Sequence, residues 1–170
     1  MTYKYSHILF PDIIIEDEAW HKIENLEQLV QEACIALIDY MNLSHYFNNA
    51  DFSILLTNDA HIKNLNQEYR NKNQATNVLS FPAEELNYLE PDKMKILQDS
   101  SVGDVVIAFE TIVKEAEEQN TSFNDHFKHL LIHSMLHLLG FDHENDKDAE
   151  FMEMTEIKIL EQMNIKSPYA

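Results

Sequence analysis

Three histidines are concentrated in the segment HSMLHLLGFDH, residues 133–143. His133 and His137 are four residues apart, and on an α-helix this spacing places two side chains on one face, about 6 Å apart along the axis. Both imidazoles can therefore reach one metal ion. Because a helix cannot fold back onto its own ligands, the third ligand has to come from the chain beyond it.

Gly140 and His143 provide a route to that third ligand. Gly140 is one of only two glycines in the chain, and glycine readily adopts the left-handed conformation that ends many helices. A chain that turns back at Gly140 carries His143 towards the ion. Three imidazoles with an open fourth position are typical of catalytic zinc, which lowers the pKa of water towards neutrality. We predict one zinc ion per chain, bound by His133, His137 and His143.

A histidine-rich helix that binds no metal is the alternative, because His126 and His129 precede the cluster on the same predicted helix. His129, four residues before His133, is either a competing ligand or a neighbour of the ligands. The leucines between the histidines favour a half-buried site.

The spacing His-x3-His-x2-Gly-x2-His is also that of metzincin peptidases, in which a general-base glutamate follows the first histidine. Here that position is Ser134, and a serine cannot accept a proton from water as a carboxylate does. The metal ligands are therefore present without the peptidase base. A zinc hydrolase of peptide or amide bonds stays open as an alternative, but this substitution weighs against it.

The length and composition indicate a single globular domain, residues 1–170, and the histidine cluster makes a metal-hydrolase domain the prediction. The chain has 170 residues, of which 45% are hydrophobic, enough for a core of its own. The one cysteine, Cys34, cannot form an intrachain disulfide, which suits a reducing compartment. No signal peptide or membrane span is recognisable. We expect a cytoplasmic protein with no membrane partner.

The charge is strongly negative, with a formal net value of -18. Such a surface repels polyanions, which argues against a protein that coats nucleic acid nonspecifically. Eleven of the twelve basic residues are lysines, and Arg70 is the only arginine. Either the composition disfavours arginine, or this position needs the planar guanidinium that grips a phosphate or carboxylate at two points.

Hydrophobic periodicity predicts an α+β fold, with a small mixed sheet of about four strands and about five surrounding helices. Strands are predicted at residues 13–16, 52–56, 77–81 and 102–109. Helices are predicted at residues 23–41, 59–69, 110–119, 123–139 and 148–163, the fourth capped by Thr121 or Ser122. Residues 83–102 are a polar connector, predicted as a mobile loop.

The segment HSMLHLLGFDH closely resembles the signature of the YbeY family of metal-dependent endoribonucleases. Three more stretches are similar to blocks of that family: LNQEYRNKNQATNVLSFP at 65–82, VGDVVIA at 102–108 and the terminal SPYA. These blocks lie in order between residues 51 and 169. The first fifty residues agree only in a coarse strand-then-helix pattern.

The resemblance implies a sheet surrounded by helices, a zinc ion on His133, His137 and His143, and a functional role for Arg70. It implies cleavage of single-stranded RNA in ribosomal RNA processing, notably at the 3′ end of the small-subunit RNA, and a part in ribosome quality control. The implied partners are ribosomal RNA, the small ribosomal subunit and its assembly factors, with no DNA expected. A non-catalytic assembly factor with a structural zinc is a further alternative.

Two residues depart from the family pattern. Ser134 stands where the family usually has glycine, and Asn77 stands where it usually has aspartate; that aspartate either orients a ligand or a proton, or only caps a turn. The nucleophile, water or the RNA 2′-hydroxyl, stays open.

Several residues have two interpretations. Asp142 either orients an imidazole or stabilises a turn. Gly103 is predicted at a close backbone approach and Asp104 in a turn or cap. Tyr69 and Phe81 either stack on bases or belong to the core.

Overall fold

The computed structural model describes residues 5–169, and in this part of the chain it contains five α-helices and six strands. The strands are β1 (Leu9–Ile15), β2 (Phe47–Asn48), β3 (Ala50–Thr57), β4 (Val78–Pro82), β5 (Leu97–Gln98) and β6 (Ser101–Ala108). The helices are α1 (Leu26–Met41), α2 (Asp59–Arg70), α3 (Phe109–Glu118), α4 (Phe123–Leu138) and α5 (Asp146–Gln162).

Four strands form a mixed sheet in the order β1-β3-β6-β4. β1, β3 and β6 run parallel, and β4 pairs antiparallel with β6 at one edge. The short strands β2 and β5 form a separate parallel pair, which the sequence analysis did not anticipate. The predicted α+β class, with a four-stranded mixed sheet and five helices, is confirmed.

Helices cover both faces of the sheet because its strands are apolar on both sides. In β6, Val105 and Ile107 face the main core, which includes buried residues of α1 and α4. Val106 in the same strand faces the other way and packs in a second, smaller cluster with Ile62 of α2. This alternation follows from the two-residue period of a strand. α4 and α2 therefore lie on opposite faces, and α5 packs against α1 and α4.

The helix and strand ends differ from the predictions by a few residues, and the largest differences are at the starts of β1 and α1, near the N-terminus. β1 begins at Leu9, four residues before the predicted strand, and α1 begins at Leu26 rather than at 23 because a 3-10 turn, Glu18–Lys22, precedes it. None of the helices in the described part of the chain is long and apolar enough to cross a membrane.

Residues 83–102, predicted as a polar mobile loop, are packed at several points. Leu86 and Leu97 are buried. The backbone N–H of Tyr88 donates to the carbonyl of Leu139 at 3.1 Å, and the Tyr88 ring stacks on Phe141. These contacts were not predicted because the few apolar residues of this connector do not follow a helix or strand period. The connector therefore lies against the end of α4.

Asparagine takes most of the left-handed backbone positions. Within the described residues, the non-glycine residues with positive φ are Asn25, Asn42, Asn49, Asn71, Asp99, Asn120 and Asn164. Asparagine and aspartate tolerate this region better than other side chains do. Several of these residues end helices, so a chain with two glycines can still make its turns.

Candidate metal centre

The helix that carries the first two histidines has well-defined ends. At its start, Ser122 accepts a hydrogen bond from the backbone N–H of Asp125 at 3.0 Å, so Ser122, not Thr121, is the N-cap. At its end, the N–H of Gly140 donates to the carbonyl of His137 and the N–H of Phe141 to that of Leu136, both at 3.0 Å. This pair of bonds is a Schellman motif.

Gly140 adopts a φ of +93°, which confirms that it ends the helix and turns the chain. A second reason for glycine is visible only in the fold, because a Cβ at this position would overlap the carbonyl oxygen of Leu86 in the connector. The turn brings His143 back towards α4.

The structure groups His133, His137 and His143. Each offers one ring nitrogen, and these three atoms lie within 4.8 Å of one another. His133 and His137 are half-buried and His143 is exposed. Among the described residues, these three histidines are the group of potential metal ligands whose ligand atoms are close enough together to hold one ion.

Hydrogen bonds fix the orientation of two of the rings. Nδ1 of His133 is bonded to a carboxylate oxygen of Glu156, and Nδ1 of His137 lies 3.0 Å from the carbonyl oxygen of Phe141. Both partners are acceptors, so both Nδ1 atoms carry the proton. The Nε2 atoms of His133 and His137 are 3.1 Å apart. In the neutral rings, two lone pairs therefore face the same space.

This donor set fits zinc. Two nitrogens bound tetrahedrally to one zinc ion are about 3.4 Å apart, from a Zn–N distance of about 2.05 Å, and the observed separation is 3.1 Å. Burial and the neighbouring His133 lower the pKa of His137 to about 4, so His137 is neutral at physiological pH, as a metal ligand must be.

Glu156, in α5, is a site residue that the sequence did not reveal. Its side chain is completely buried, and its carboxylate is hydrogen-bonded by His129 at 3.1 Å, by Nδ1 of His133 and by the hydroxyl of Tyr169. Burial alone would raise the pKa of Glu156, but these hydrogen bonds outweigh it and hold the pKa at about 2. The available signal was its position on the buried stripe of α5, with Met152 and Ile159.

Asn77 and His126 belong to a neighbouring polar cluster. The Asn77 amide donates to both carboxylate oxygens of Glu115, at 3.2 and 3.0 Å, and Nε2 of His126 lies 2.7 Å from the same carboxylate. The side-chain oxygen of Asn77 also accepts from the N–H of Val78. An aspartate at 77 would lack the two donors that face Glu115. None of the described contacts of Asn77 is to the three histidines.

Arg70 is exposed at the end of α2, on the opposite face of the sheet from α4. Its guanidinium donates to the carbonyl of Ser80 in β4 at 3.1 Å and lies 5.8 Å from the centre of the Phe81 ring. The described residues show no contact between Arg70 and the three histidines. Tyr69 is 57% exposed and meets Phe81 edge to face, so it is not a core residue.

The remaining candidates have local roles. Asp142 accepts a hydrogen bond from the N–H of His143, which is a turn contact. A Cβ on Gly103 would overlap the carbonyl oxygen of Phe81, which confirms the predicted close approach. Asp104 lies within β6 and accepts from the hydroxyl of Ser53, so its prediction as a turn or cap residue was wrong. Ser134 is buried, and its hydroxyl has no partner in the described structure.

Comparison with known proteins identifies the family. A family model described as endoribonuclease YbeY matches residues 13–164, which extends the similarity towards the N-terminus. Two proteins named endoribonuclease YbeY, from Bartonella henselae and Bartonella bacilliformis, are 38% and 42% identical to this chain. These matches cover 94% and 93% of this chain and 96% and 95% of theirs.

A solved structure has a similar fold. The solution structure of TM1509 from Thermotoga maritima matches with a TM-score of 0.55 and 26% identity, over 89% of this chain and 87% of the other. The sequence motifs, the histidine cluster and these similarities agree, and the chain belongs to the YbeY family of endoribonucleases.

Proposed function

We propose that this member of the YbeY family is a zinc-dependent endoribonuclease that cleaves single-stranded RNA, with His133, His137 and His143 holding one zinc ion. One observation supports this function most directly. Two Nε2 atoms face the same space, 3.1 Å apart, and each ring is fixed at Nδ1 by its own acceptor. Zinc bound there would supply Lewis-acid stabilisation of negative charge on the phosphoryl group and acidify water.

Arg70 has the chemistry to bind the scissile phosphate. Its guanidinium uses one hydrogen bond to Ser80 and is otherwise exposed, so further N–H donors can bind a phosphate at two points. β4, which carries Ser80, is one of the two edge strands of the four-stranded sheet and packs against α4. An RNA strand that crosses this edge would meet Arg70 on one side and the histidines on the other. Tyr69, exposed beside Arg70, offers a ring on which an unpaired base can stack.

The substrate that we propose is ribosomal RNA, at the 3′ end of the small-subunit precursor, in the cytoplasm and with a part in ribosome quality control. The net charge of -18 opposes tight binding to bare RNA. We therefore propose that the small ribosomal subunit or an assembly factor delivers the RNA, and that neither DNA nor a membrane is a partner.

Peptide or amide hydrolysis is a weaker proposal for this site. A peptidase of this ligand spacing needs a carboxylate directly after the first histidine, and Ser134 at that position is buried. A buried serine can neither act as that base nor contact a substrate.

A cleavage assay with a single-stranded RNA that spans the precursor 3′ end tests this function. We expect zinc-loaded protein to cleave it, a chelator to stop cleavage, and added zinc to restore it. Double-stranded RNA and DNA of the same sequence should stay intact. A 2′,3′-cyclic phosphate on the product would identify the RNA 2′-hydroxyl as the nucleophile. Cleavage that is insensitive to the chelator, or hydrolysis of peptides or amides instead, would contradict the proposal.

Replacing Arg70 should slow cleavage without removing the metal. We expect Arg70→Ala to lower kcat/KM about 100-fold, as the loss of one group that stabilises transition-state charge does. Arg70→Lys should recover little of this, because lysine cannot grip a phosphate with a planar fork. Zinc content should not change, since Arg70 does not contact the histidines in the described structure. The measurements are single-turnover cleavage and metal analysis.

Lys72→Ala is the matched control, because Lys72 is an exposed cation two residues away. If the two alanine variants slow cleavage equally, the effect is one of general charge and Arg70 has no special role.

A further inference from the structure

We propose that Glu156 is the positioning residue of the metal centre and that Tyr169 holds its carboxylate, so that the C-terminal segment is part of the zinc site. This inference rests on the proposed metal site and assigns two residues outside the three-histidine cluster. Neither residue is a ligand in this proposal; both act through His133.

A buried carboxylate needs several donors, because an unpaired charge in the interior is costly. Glu156 is completely buried, and in the described part of the chain the groups hydrogen-bonded to its carboxylate are His129, His133 and Tyr169, with no lysine or arginine among them. One carboxylate oxygen is bonded to His133, and the other is bonded to both His129 and Tyr169. The buried carboxylate is therefore stabilised by hydrogen-bond donors, one of which is the proposed metal ligand His133.

The consequence for His133 is a fixed ring. A carboxylate at Nδ1 keeps the proton on that atom, turns Nε2 towards the metal and makes it a stronger ligand. His137 has only a neutral carbonyl, that of Phe141, in the same position. Unlike His137, His133 therefore has a charged acceptor at Nδ1. The loss of Glu156 should weaken metal binding.

Tyr169 reaches Glu156 because the chain turns back after α5. Asn164 is in the left-handed conformation, the N–H of Ile165 donates to the carbonyl of Leu160 at 3.0 Å, and Ile165 is buried. The ring of Tyr169 meets His129 edge to face, with centroids 5.9 Å apart. Partial burial and the adjacent Glu156 raise the pKa of Tyr169, so its hydroxyl stays a donor at neutral pH.

Zinc affinity of the full-length protein, measured by competition with a chromophoric chelator and without RNA, tests this inference. We expect Glu156→Ala to weaken zinc binding by about 10- to 100-fold, the range for partners of metal ligands. Glu156→Gln should lose less, because its amide oxygen can still accept from Nδ1 of His133. Tyr169→Phe, which removes only the hydroxyl, should weaken binding by a smaller factor and shift the visible absorption of the cobalt-loaded protein.

Glu161→Gln is the control, because Glu161 is an exposed acid on the same helix; its zinc affinity should equal that of the wild type. The thermal unfolding of each metal-free variant separates a loss of folding from a loss of metal binding. If Glu156→Ala does not fold, Glu156→Gln and Tyr169→Phe decide. Wild-type zinc affinity in these two folded variants would overturn the inference. A wild-type protein that binds no zinc would instead overturn the proposed metal site, and this inference with it.

Discussion

Replacing His137 with alanine is expected to abolish metal-dependent RNA cleavage. His137 is the middle member of the cluster, because its ring lies 4.6 Å from that of His133 and 5.0 Å from that of His143, centre to centre. Without it two imidazoles remain, and zinc affinity should fall by more than the roughly 10- to 100-fold that the loss of an outer partner costs. Zinc competition and RNA cleavage on the same preparations measure both effects.

His143→Ala tests whether misfolding, and not the loss of a metal ligand, explains the loss of cleavage in His137→Ala. The His143 side chain is exposed, so its removal should leave the core intact and still abolish cleavage. His45→Ala, which removes an exposed histidine outside the cluster, should cleave like the wild type. Equal cleavage by all preparations would reveal a contaminating ribonuclease or a different site. A wild type that binds zinc but cleaves no RNA, alone or on ribosomal particles, would favour the non-catalytic assembly factor.

Replacing Gly140 with alanine is expected to lower the free energy of unfolding by about 2–5 kcal/mol. A side chain at a φ of +93° is strained, which costs about 1–2 kcal/mol. Its Cβ would also overlap the carbonyl of Leu86, and overpacking adds about 1–3 kcal/mol. Relief of this overlap requires the connector or the helix end to move. Urea unfolding should therefore show a loss of about 2–5 kcal/mol in the free energy of unfolding.

Asn71→Ala separates the two contributions. Asn71 has a φ of +56° at the end of α2 and already carries a Cβ, so alanine there adds backbone strain without an overlap. We expect a loss of about 1 kcal/mol. If Gly140→Ala costs no more than Asn71→Ala, the contact with Leu86 is not restrictive. Zinc affinity of Gly140→Ala should fall as well, because the same turn carries Phe141, which orients His137, and leads to His143.

Gly140 and Asn71, which both follow a helix and have a positive φ, show what the local sequence encodes and what it does not. The sequence predicted Gly140 as a helix end, and its conformation is as expected. Asparagine does the same at the ends of α1 and α2, so the conformation alone does not require glycine. What requires it is Leu86, more than fifty residues earlier, and no local pattern reports such a contact.

The hydrogen bonds of Glu156 to His133 and Tyr169 also depend on long-range contacts and not on local sequence. Glu156 has the sequence context of an ordinary acidic helix, and only the packing of α5 against α4 places its carboxylate on His133. Tyr169 is part of the family-like SPYA ending, but its hydrogen-bond partner depends on the turn after α5. Likewise, Arg70 stands out in the sequence by its rarity and by the family resemblance, whereas its location across the sheet edge from α4 depends on the topology.

By itself the sequence determined what short-range physics can encode: the helix that carries His133 and His137, the turn that leads to His143, the alternating strands, and the family motifs. The helix, the turn and the strands depend on helical spacing, capping and local hydrophobic period, and each motif is a contiguous stretch of sequence. The tertiary structure decided which groups support the ligands, where the connector packs and which face Arg70 occupies. These depend on contacts between residues far apart in the chain, whose pairing is set by the packing of the whole core.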